Sequence, residues 1–176
     1  MNPVKIKFFS PKFQILSPSL RKRYKGLKGG RASGKSWAIV AALVGIACTY
    51  RTFIVCAREI QKSIKESAQK LVTDTISKYG LDDQFIITNT EITHKITGSR
   101  FIFIGLKSNP ESVKSLEGAN IVWVEEASQV SEDSWEILIP TIRRQGSQIW
   151  ASWNPDSPSD FVEKLFNPAT NPDCVA

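Results

Sequence analysis

The chain has 176 residues and a mass of 19.6 kDa, the size of one ordinary domain. With 41% hydrophobic and 23% charged residues, its composition excludes a disordered, collagen-like or coiled-coil chain. The three cysteines are widely spaced and form no CxxC pair, so neither a disulfide framework nor a zinc site is indicated. The longest uncharged apolar run, residues 37–50, is too short for a membrane helix, so we expect no membrane association and a cytoplasmic location.

The net charge of +6 conceals an uneven distribution along the chain. Residues 1–58 contain twelve Lys or Arg and no Asp or Glu, whereas residues 59–176 contain eleven basic and seventeen acidic residues. A basic block of this purity predicts a polyanionic partner, either nucleotide phosphates, nucleic acid or both; an ordinary solvated face is the alternative. The single histidine, His94, lies in an alternating stretch, which predicts a position on a strand surface.

The first half of the chain alternates between strand and helix signals. Residues 1–20 contain three prolines and no sustained period, which predicts an N-terminal arm crossing the surface. A short strand from Tyr24 leads into a glycine-rich loop, which is followed by an apolar helix over residues 37–48. The β-branched run at 52–56 predicts a strand buried on both faces, and the pattern of residues 61–79 is that of an amphipathic helix.

The second half continues the alternation. Strands are predicted at residues 85–88, 91–96, 100–104, 121–124 and 149–153, and helices at 131–138 and 160–166. Turn signals between the first three strands indicate a hairpin, and hence antiparallel additions to the sheet. The whole pattern predicts an α/β fold with a mainly parallel central sheet, in a single domain over residues 21–166 and a connecting tail over 167–176.

One motif points directly to chemistry. The eight residues from Gly29 to Ser36 satisfy GxxxxGK[ST] and stand between a predicted strand and a predicted helix. Glycines let such a loop wrap a phosphate chain with its backbone N–H groups pointing inward, and the helix N-terminus adds positive charge. In this interpretation Lys35 reaches the β- and γ-phosphates and Ser36 gives an oxygen to Mg²⁺. The residues predicted to bind ATP through the loop are Gly29, Gly30, Arg31, Ala32, Ser33, Gly34, Lys35 and Ser36.

Two adjacent acids follow the buried strand at residues 121–124. Glu125 takes the place of the acid that helps to hold Mg²⁺ in such sites, and Glu126 is positioned to polarise the attacking water. Since most proteins with this loop have Asp at the metal position, the longer Glu125 predicts a water-mediated contact. The acid pair favours a hydrolase over a kinase; exposed acids at a strand end are the alternative.

The order and spacing of several motifs resemble those of the large terminase subunits of tailed phages, over about residues 20–165. Five segments carry the resemblance: GGRASGKS at 29–36, CAREIQ at 56–61, KSLEG at 114–118, WVEEA at 123–127 and PTIR at 140–143. The resemblance implies a P-loop NTPase of the ASCE, RecA-like type, a three-layer sandwich that hydrolyses ATP with Mg²⁺ to drive double-stranded DNA into a procapsid. It also implies a homo-oligomeric ring on the portal protein, monomers in isolation, and a small terminase subunit as partner.

The resemblance further implies roles for single residues. Arg31 contributes to ATP turnover, and the segment Ser152, Trp153, Asn154 couples hydrolysis to movement. A cation acting on a neighbouring subunit's ATP matches Lys114 by position, with Arg143 and Arg144 as alternatives. Adenine is expected near Arg23 and Tyr24.

Family members continue into a nuclease domain, which this sequence lacks, so we expect an excised domain or a truncated prophage copy and no nuclease activity. The adjacent acids Asp82 and Asp83 lie in a predicted turn without the further carboxylates that a two-metal site needs. Two other functions stay open: a nucleotide-regulated DNA-binding module that does not turn ATP over, and a helicase-like remodelling ATPase. The latter needs a second domain that 176 residues cannot hold.

Overall fold

A computed structural model describes residues 11–60, 64–107, 113 and 116–176 of the chain. The strands are β1 (Tyr24–Lys28), β2 (Phe53–Arg58), β3 (Phe85–Ile87), β4 (Glu91–His94), β5 (Arg100–Gly105), β6 (Ile121–Glu125), β7 (Gln148–Trp153) and β8 (Cys174–Val175). The α-helices are α1 (Lys35–Thr49), α2 (Lys70–Lys78), α3 (Glu132–Thr141) and α4 (Phe161–Leu165). A π-helical turn, Lys65–Gln69, leads into α2, and short 3-10 helices lie at Pro11–Leu16, Asp82–Gln84 and Ala127–Gln129.

The strands form one eight-stranded sheet in the order β3-β4-β5-β2-β6-β7-β1-β8. The strands from β5 to β8 in this order are parallel, and β3 and β4 add to them as an antiparallel hairpin. The predicted parallel sheet with antiparallel additions is therefore confirmed. One strand, β7, separates the strand that leads into the glycine loop from the strand that ends in the two acids.

Two hydrophobic cores lie on the two faces of the sheet, which makes the fold a three-layer sandwich. Alternate residues of β2 show the division, since Ile54 and Cys56 belong to one core and Val55 and Ala57 to the other. Helices α1 and α2 cover the first face, and α3 and α4 cover the second. Near-continuous apolar strands such as β6, in which four of five residues are buried, follow from this two-sided burial. No helix among the described residues is long and apolar enough to cross a membrane.

The structure differs from the sequence-based prediction at both ends of the chain. The expected surface arm contains the 3-10 helix Pro11–Leu16, and Leu16 is fully buried in the core beside α1. The expected connecting tail contains β8, which pairs with β1 and buries Cys174. Both segments are too short for a period to be recognised, so only their long-range contacts reveal them.

His94 is buried rather than on a strand surface. Its Nδ1 lies 2.9 Å from Thr97 Oγ1 and its ring packs 4.8 Å from the Phe85 ring. Burial lowers the pKa of His94. The alternation of β4 is real, but helix α1 and the 94–99 turn cover the face that carries this side chain, as the bond from Thr97 Oγ1 to the Ala47 carbonyl in α1 shows.

Candidate nucleotide site

The carboxyl ends of four neighbouring parallel strands bring the predicted site residues together. The strand register pairs Lys28 with Trp153 and Glu125 with Ser152, and it carries Arg58 level with Glu125 across β2 and β6. The glycine loop after β1, Asn154 after β7 and Glu126 after β6 therefore emerge at one edge of the sheet. This edge is where ligands bind in open α/β sheets.

The glycine-rich loop has the backbone that anion binding requires. Ala32 has φ 58° and Gly34 has φ 81°, both in the left-handed region, and Gly34 is the residue immediately before α1. Left-handed residues next to right-handed ones turn successive N–H groups toward one point, which forms an anion-binding concavity. The first N–H groups of α1 have no hydrogen-bond partner within the helix, so they are also available to an anion at the loop. The loop is thus shaped to cradle phosphate groups.

Lys35 lies across the mouth of this loop. Its ammonium group donates to the carbonyl oxygens of Gly29, at 2.7 Å, and Gly30, at 2.8 Å. It also lies 3.0 Å from Ser33 Oγ and 3.0 Å from Asn154 Oδ1. Burial lowers the pKa of Lys35. These four acceptors hold the Lys35 ammonium group at the mouth of the loop, where phosphate oxygens would take their place. Asn154 directly follows β7, so its contact connects Lys35 to that strand.

The two acids share one cation, for which the sequence alone predicts no role. Arg58, at the end of β2, is buried; its Nε lies 3.3 Å from Glu125 Oε2, and its Nη2 forms an ion pair with Glu126. The only sequence signal is a charged residue that ends an apolar strand. That signal identifies Arg58 as a partner of the two acids only when β2 is known to pair with β6.

Glu125 and Glu126 differ in their environments. The Glu125 side chain is 12% exposed, and burial raises its pKa, while Arg58 and a 2.9 Å hydrogen bond from Ser67 Oγ act in the opposite direction. The Glu126 side chain is 59% exposed, on a residue with φ 51°. Left-handed backbone costs a non-glycine residue about 1–2 kcal/mol and is concentrated at functional sites. One acid is thus packed into the protein, and the other faces water beside it.

The predicted coupling segment makes three different contacts. Ser152 is buried, and its Oγ accepts a 3.1 Å hydrogen bond from Trp123 Nε1 on β6. Trp153 is also buried, and its Nε1 donates to Glu163 Oε1 in α4 at 2.8 Å. Asn154 contacts Lys35, as described above. Through these contacts the segment joins the glycine loop, the acid-bearing strand and helix α4.

Two predicted nucleotide contacts lie away from the site. Arg23 and Tyr24 stand at the amino end of β1, whereas the glycine loop follows its carboxyl end. The Arg23 guanidinium donates to the Ile142 carbonyl at 2.6 Å and to Ser147 Oγ at 2.7 Å, and the Tyr24 ring packs edge-on against Phe166. Strand β1 thus separates these residues from the loop by about 16 Å, and the adenine contact stays a prediction.

The remaining site predictions have simple placements. Arg31 is exposed at the glycine loop, and Ser36 lies in the first turn of α1. Arg143 and Arg144 follow α3, where Arg143 forms an ion pair with Glu117 and Arg144 donates to the Gly118 carbonyl at 3.3 Å. Lys114 lies outside the described residues. Among the described residues no group of three or more His, Cys, Asp or Glu forms a metal cluster.

Comparison with known proteins identifies the family. A family model described as phage terminase large subunit matches residues 21–173 of the chain. The chain belongs to this family. The terminase large subunit of phage PBSX from Bacillus subtilis (strain 168) is 25% identical over 164 residues, which are 92% of this chain and 38% of that protein. The chain thus spans less than half the length of this relative.

Solved terminase structures share the fold. The large terminase of a thermophilic bacteriophage matches with a TM-score of 0.73 and 14% identity, over 94% of this chain and 44% of that one. The same thermophilic phage protein has been solved with ADP and with ATP-gamma-S. The N-terminal domain of the DNA packaging ATPase from bacteriophage phi29 matches with a TM-score of 0.67 and 16% identity, over 94% of this terminase chain and 87% of that domain. The fold is therefore the P-loop NTPase fold of phage packaging proteins.

Proposed function

We propose that this terminase chain is an ATPase that hydrolyses ATP with Mg²⁺ and uses the energy to move double-stranded DNA into a procapsid. The observation that carries the proposal is the convergence of the glycine loop, Lys35, Glu126 and Asn154 at one edge of the sheet. The matches to terminases support it, as do the nucleotide complexes of the thermophilic phage terminase.

The loop and its two cations bind the nucleotide in this proposal. Backbone N–H groups of residues 29–35 surround the β-phosphate, and the Lys35 ammonium exchanges its carbonyl acceptors for β- and γ-phosphate oxygens. Arg31, an exposed residue of the loop itself, adds a second cation to the γ-phosphate. As negative charge spreads over the γ-phosphoryl oxygens in the transition state, these charges stabilise it more than the ground state.

The acids act on the metal and on water. Ser36 and Glu125 offer hydroxyl and carboxylate oxygens, the donor type that Mg²⁺ prefers, so the residues present fit the ion. When bound, Mg²⁺ would neutralise charge on the β- and γ-phosphates. Glu126 is the exposed carboxylate, and it orients the attacking water and takes up its proton. Arg58 holds both carboxylates at this edge.

Release of phosphate is transmitted through the segment Ser152, Trp153, Asn154. When Lys35 moves between phosphate and Asn154, the change reaches α4 through the bond between Trp153 and Glu163. The partners of the proposal are a ring of copies on the portal protein and a small terminase subunit. A cation from a neighbour, Lys114, Arg143 or Arg144, completes the site. The proposal includes no nuclease activity for these residues.

The test is steady-state phosphate release by the purified chain with and without a double-stranded DNA fragment, with Mg²⁺ present or chelated by EDTA. We expect Mg²⁺-dependent hydrolysis that increases when DNA is added. The matched control is Lys164→Ala, which removes an exposed lysine of α4, compared with Lys35→Ala. Hydrolysis that is unchanged in Lys35→Ala would contradict the proposed site, and ATP binding without turnover would favour a regulated DNA-binding module instead.

A further inference from the structure

A row of arginines lies at the edge of the sheet opposite the nucleotide site. Four of the five central parallel strands begin with an arginine or follow one within five residues; these are Arg100 for β5, Arg51 for β2, Arg144 for β7 and Arg23 for β1. In the sheet order, β5 and β1 are separated by four strand spacings of about 4.8 Å, so the row extends over about 19 Å.

Two adjoining grooves run along this edge and share Arg144. One has a volume of about 710 Å³ and is lined by the cations Arg21, Lys22, Arg23, Arg143 and Arg144. The other, about 760 Å³, is lined by Arg51, Arg100 and Arg144. Among the described residues that line them, only Asp173 and Glu117 are acidic. The two grooves therefore form one strongly basic surface, which we call the amino-edge surface.

Not all of these cations are available to a ligand. Arg23 is held by carbonyls of the α3 end and Ser147, and Arg143 pairs with Glu117. Arg21, Arg51, Arg100 and Arg144 are exposed, and Arg144 also donates to the Gly118 carbonyl at 3.3 Å. The Arg100 guanidinium lies 4.0 Å from the Phe53 ring centroid, and both residues line the second groove. These four exposed guanidinium groups are distributed over the two grooves.

We propose that the amino-edge surface binds the phosphodiester backbone of double-stranded DNA. A single phosphate or a nucleotide needs donors that converge, whereas these guanidinium groups are distributed over two grooves. The grooves lie along an edge whose five central strands span about 19 Å, the rise of five to six base steps at about 3.4 Å each. Arginine is suited to phosphate contacts because its donors form a planar fork. The inference rests on the proposed function and adds to it the face of the domain that the DNA contacts.

The position of the surface suits a motor. Strands of five or six residues place it about 16–20 Å from the glycine loop, so DNA and ATP bind without competing for one site. Within the basic block of residues 1–58, Arg31 and Lys35 lie at the nucleotide edge, and Arg21 and Arg51 lie at the DNA edge.

The experiment measures binding of a fluorescently labelled 20-base-pair duplex to the full 176-residue chain by anisotropy, between 50 and 200 mM KCl. The test variant is Arg21→Ala/Arg51→Ala, with one exposed arginine from each groove. The matched control, Lys70→Ala/Lys164→Ala, removes the same charge from exposed positions on α2 and α4. A conservative variant, Arg21→Lys/Arg51→Lys, keeps the charge.

We expect the test variant to bind at least about tenfold more weakly at 50 mM KCl, and the slope of log affinity against log salt to decrease by about 1.8 for two lost phosphate contacts. The control variant stays close to the parent, and the lysine variant recovers most of the binding. Because all four positions are exposed, thermal unfolding of each variant checks that the fold persists.

Three results would overturn the inference: equal loss in the control variant, parent-like binding by the test variant, or a change in self-association with no change in DNA affinity. The last result would assign the surface to contacts between copies of the chain. Phosphate release by the parent tests the proposed function separately, since Lys35 and Glu126 lie at the other edge. If the parent hydrolyses ATP but the parent, test and control proteins bind DNA equally well, this inference fails and the proposed function stands.

Discussion

At the residue scale, Arg58 has the most consequential position in the candidate nucleotide site. Its guanidinium contacts a buried acid and an exposed acid at once, so two carboxylates stand side by side without uncompensated repulsion. The sequence places Glu125 and Glu126 together but gives no partner for them. Ser67 completes the arrangement from the π-helical turn, a feature often found at functional sites.

Replacing Arg58 with Gln therefore tests whether the acids need this cation. We expect ATP to bind with nearly unchanged affinity, because the glycine loop and Lys35 are untouched, while kcat falls about 10²-fold as the acids lose their positions. Fluorescent-nucleotide binding and phosphate release measure the two quantities. Arg58→Lys, which keeps the charge, should lose less. A kcat equal to that of the parent in Arg58→Gln would show that the ion pairs have no part in turnover.

Substitutions at Lys35 and Glu126 should affect ATP binding and ATP hydrolysis differently. In Lys35→Ala the phosphates lose their main cation, so we expect binding and turnover both to be lost. In Glu126→Gln the loop is intact but no carboxylate accepts the proton of the water, so ATP stays bound and unhydrolysed. Filter binding of labelled ATP, beside phosphate release, distinguishes the two variants. Hydrolysis at the parent rate by Glu126→Gln would assign the catalytic carboxylate elsewhere.

At the scale of elements, local pattern explains what the sequence predicts and long-range contact explains what it does not. The glycine loop and the strands β2, β6 and β7 are contiguous signals, and each is found near its predicted position. Arg58 was missed because its role depends on which strand lies beside β6. The adenine contact at Arg23 and Tyr24 stays a prediction from the resemblance, and the direction of β1 places both residues at the strand end away from the glycine loop. The short strand β8 shows itself only by pairing.

Strand β1 contains a lysine whose burial makes stability depend on pH. Lys25 is fully buried, donates to the Ser17 carbonyl at 2.9 Å and faces the Trp150 ring, and burial lowers its pKa from 10.5 to about 8. Between these values the unfolded chain binds the proton and the folded chain does not, so stability rises with pH from about 8 to 10.5. The rise contributed by this group is at most about 3 kcal/mol.

We therefore expect Lys25→Met to lack that rise. The measurement is the free energy of unfolding in urea at pH 8 and pH 10, for the parent, Lys25→Met and the exposed-lysine control Lys164→Met. Other groups titrate in this range, but they are shared by all three proteins and cancel in the comparison. If Lys25→Met gains as much stability with pH as the parent, the ammonium group is not desolvated in the folded chain.

At the scale of the whole molecule, the sheet places the two proposed anion sites at opposite edges. The carboxyl ends of the strands carry the glycine loop and the acids, and the amino ends carry the arginine row. The five central strands are parallel, so all their carboxyl ends lie at one edge of the sheet and all their amino ends lie at the other. Residues that directly follow these strands are therefore separated from residues that directly precede them. The net charge of the chain does not reveal this separation.

The proposed ring adds a last requirement, a cation that each molecule supplies to its neighbour. An arginine supplied in trans contributes about 10³–10⁵ in rate in other P-loop enzymes, so an isolated molecule should turn ATP over slowly. We expect phosphate release per molecule to rise with protein concentration, and to rise further when portal protein and DNA are added. The candidates are Lys114, Arg143 and Arg144, of which Arg144 also lines both basic grooves.

Mixing variants identifies the donor. Glu126→Gln has an inactive site but keeps every candidate cation, whereas Lys114→Ala, Arg143→Ala and Arg144→Ala keep the site and each lack one cation. If the cation that a variant lacks is the one supplied in trans, an equimolar mixture of that variant with Glu126→Gln should hydrolyse ATP faster than either protein alone. The Glu126→Gln molecule then supplies its cation to the intact site of its neighbour. Lys164→Ala in the same mixture shows what dilution of active molecules does by itself. A rate per molecule that is fast at dilution and independent of concentration would exclude activation in trans. Arg31, in the glycine loop of the same molecule, would then be the remaining cation.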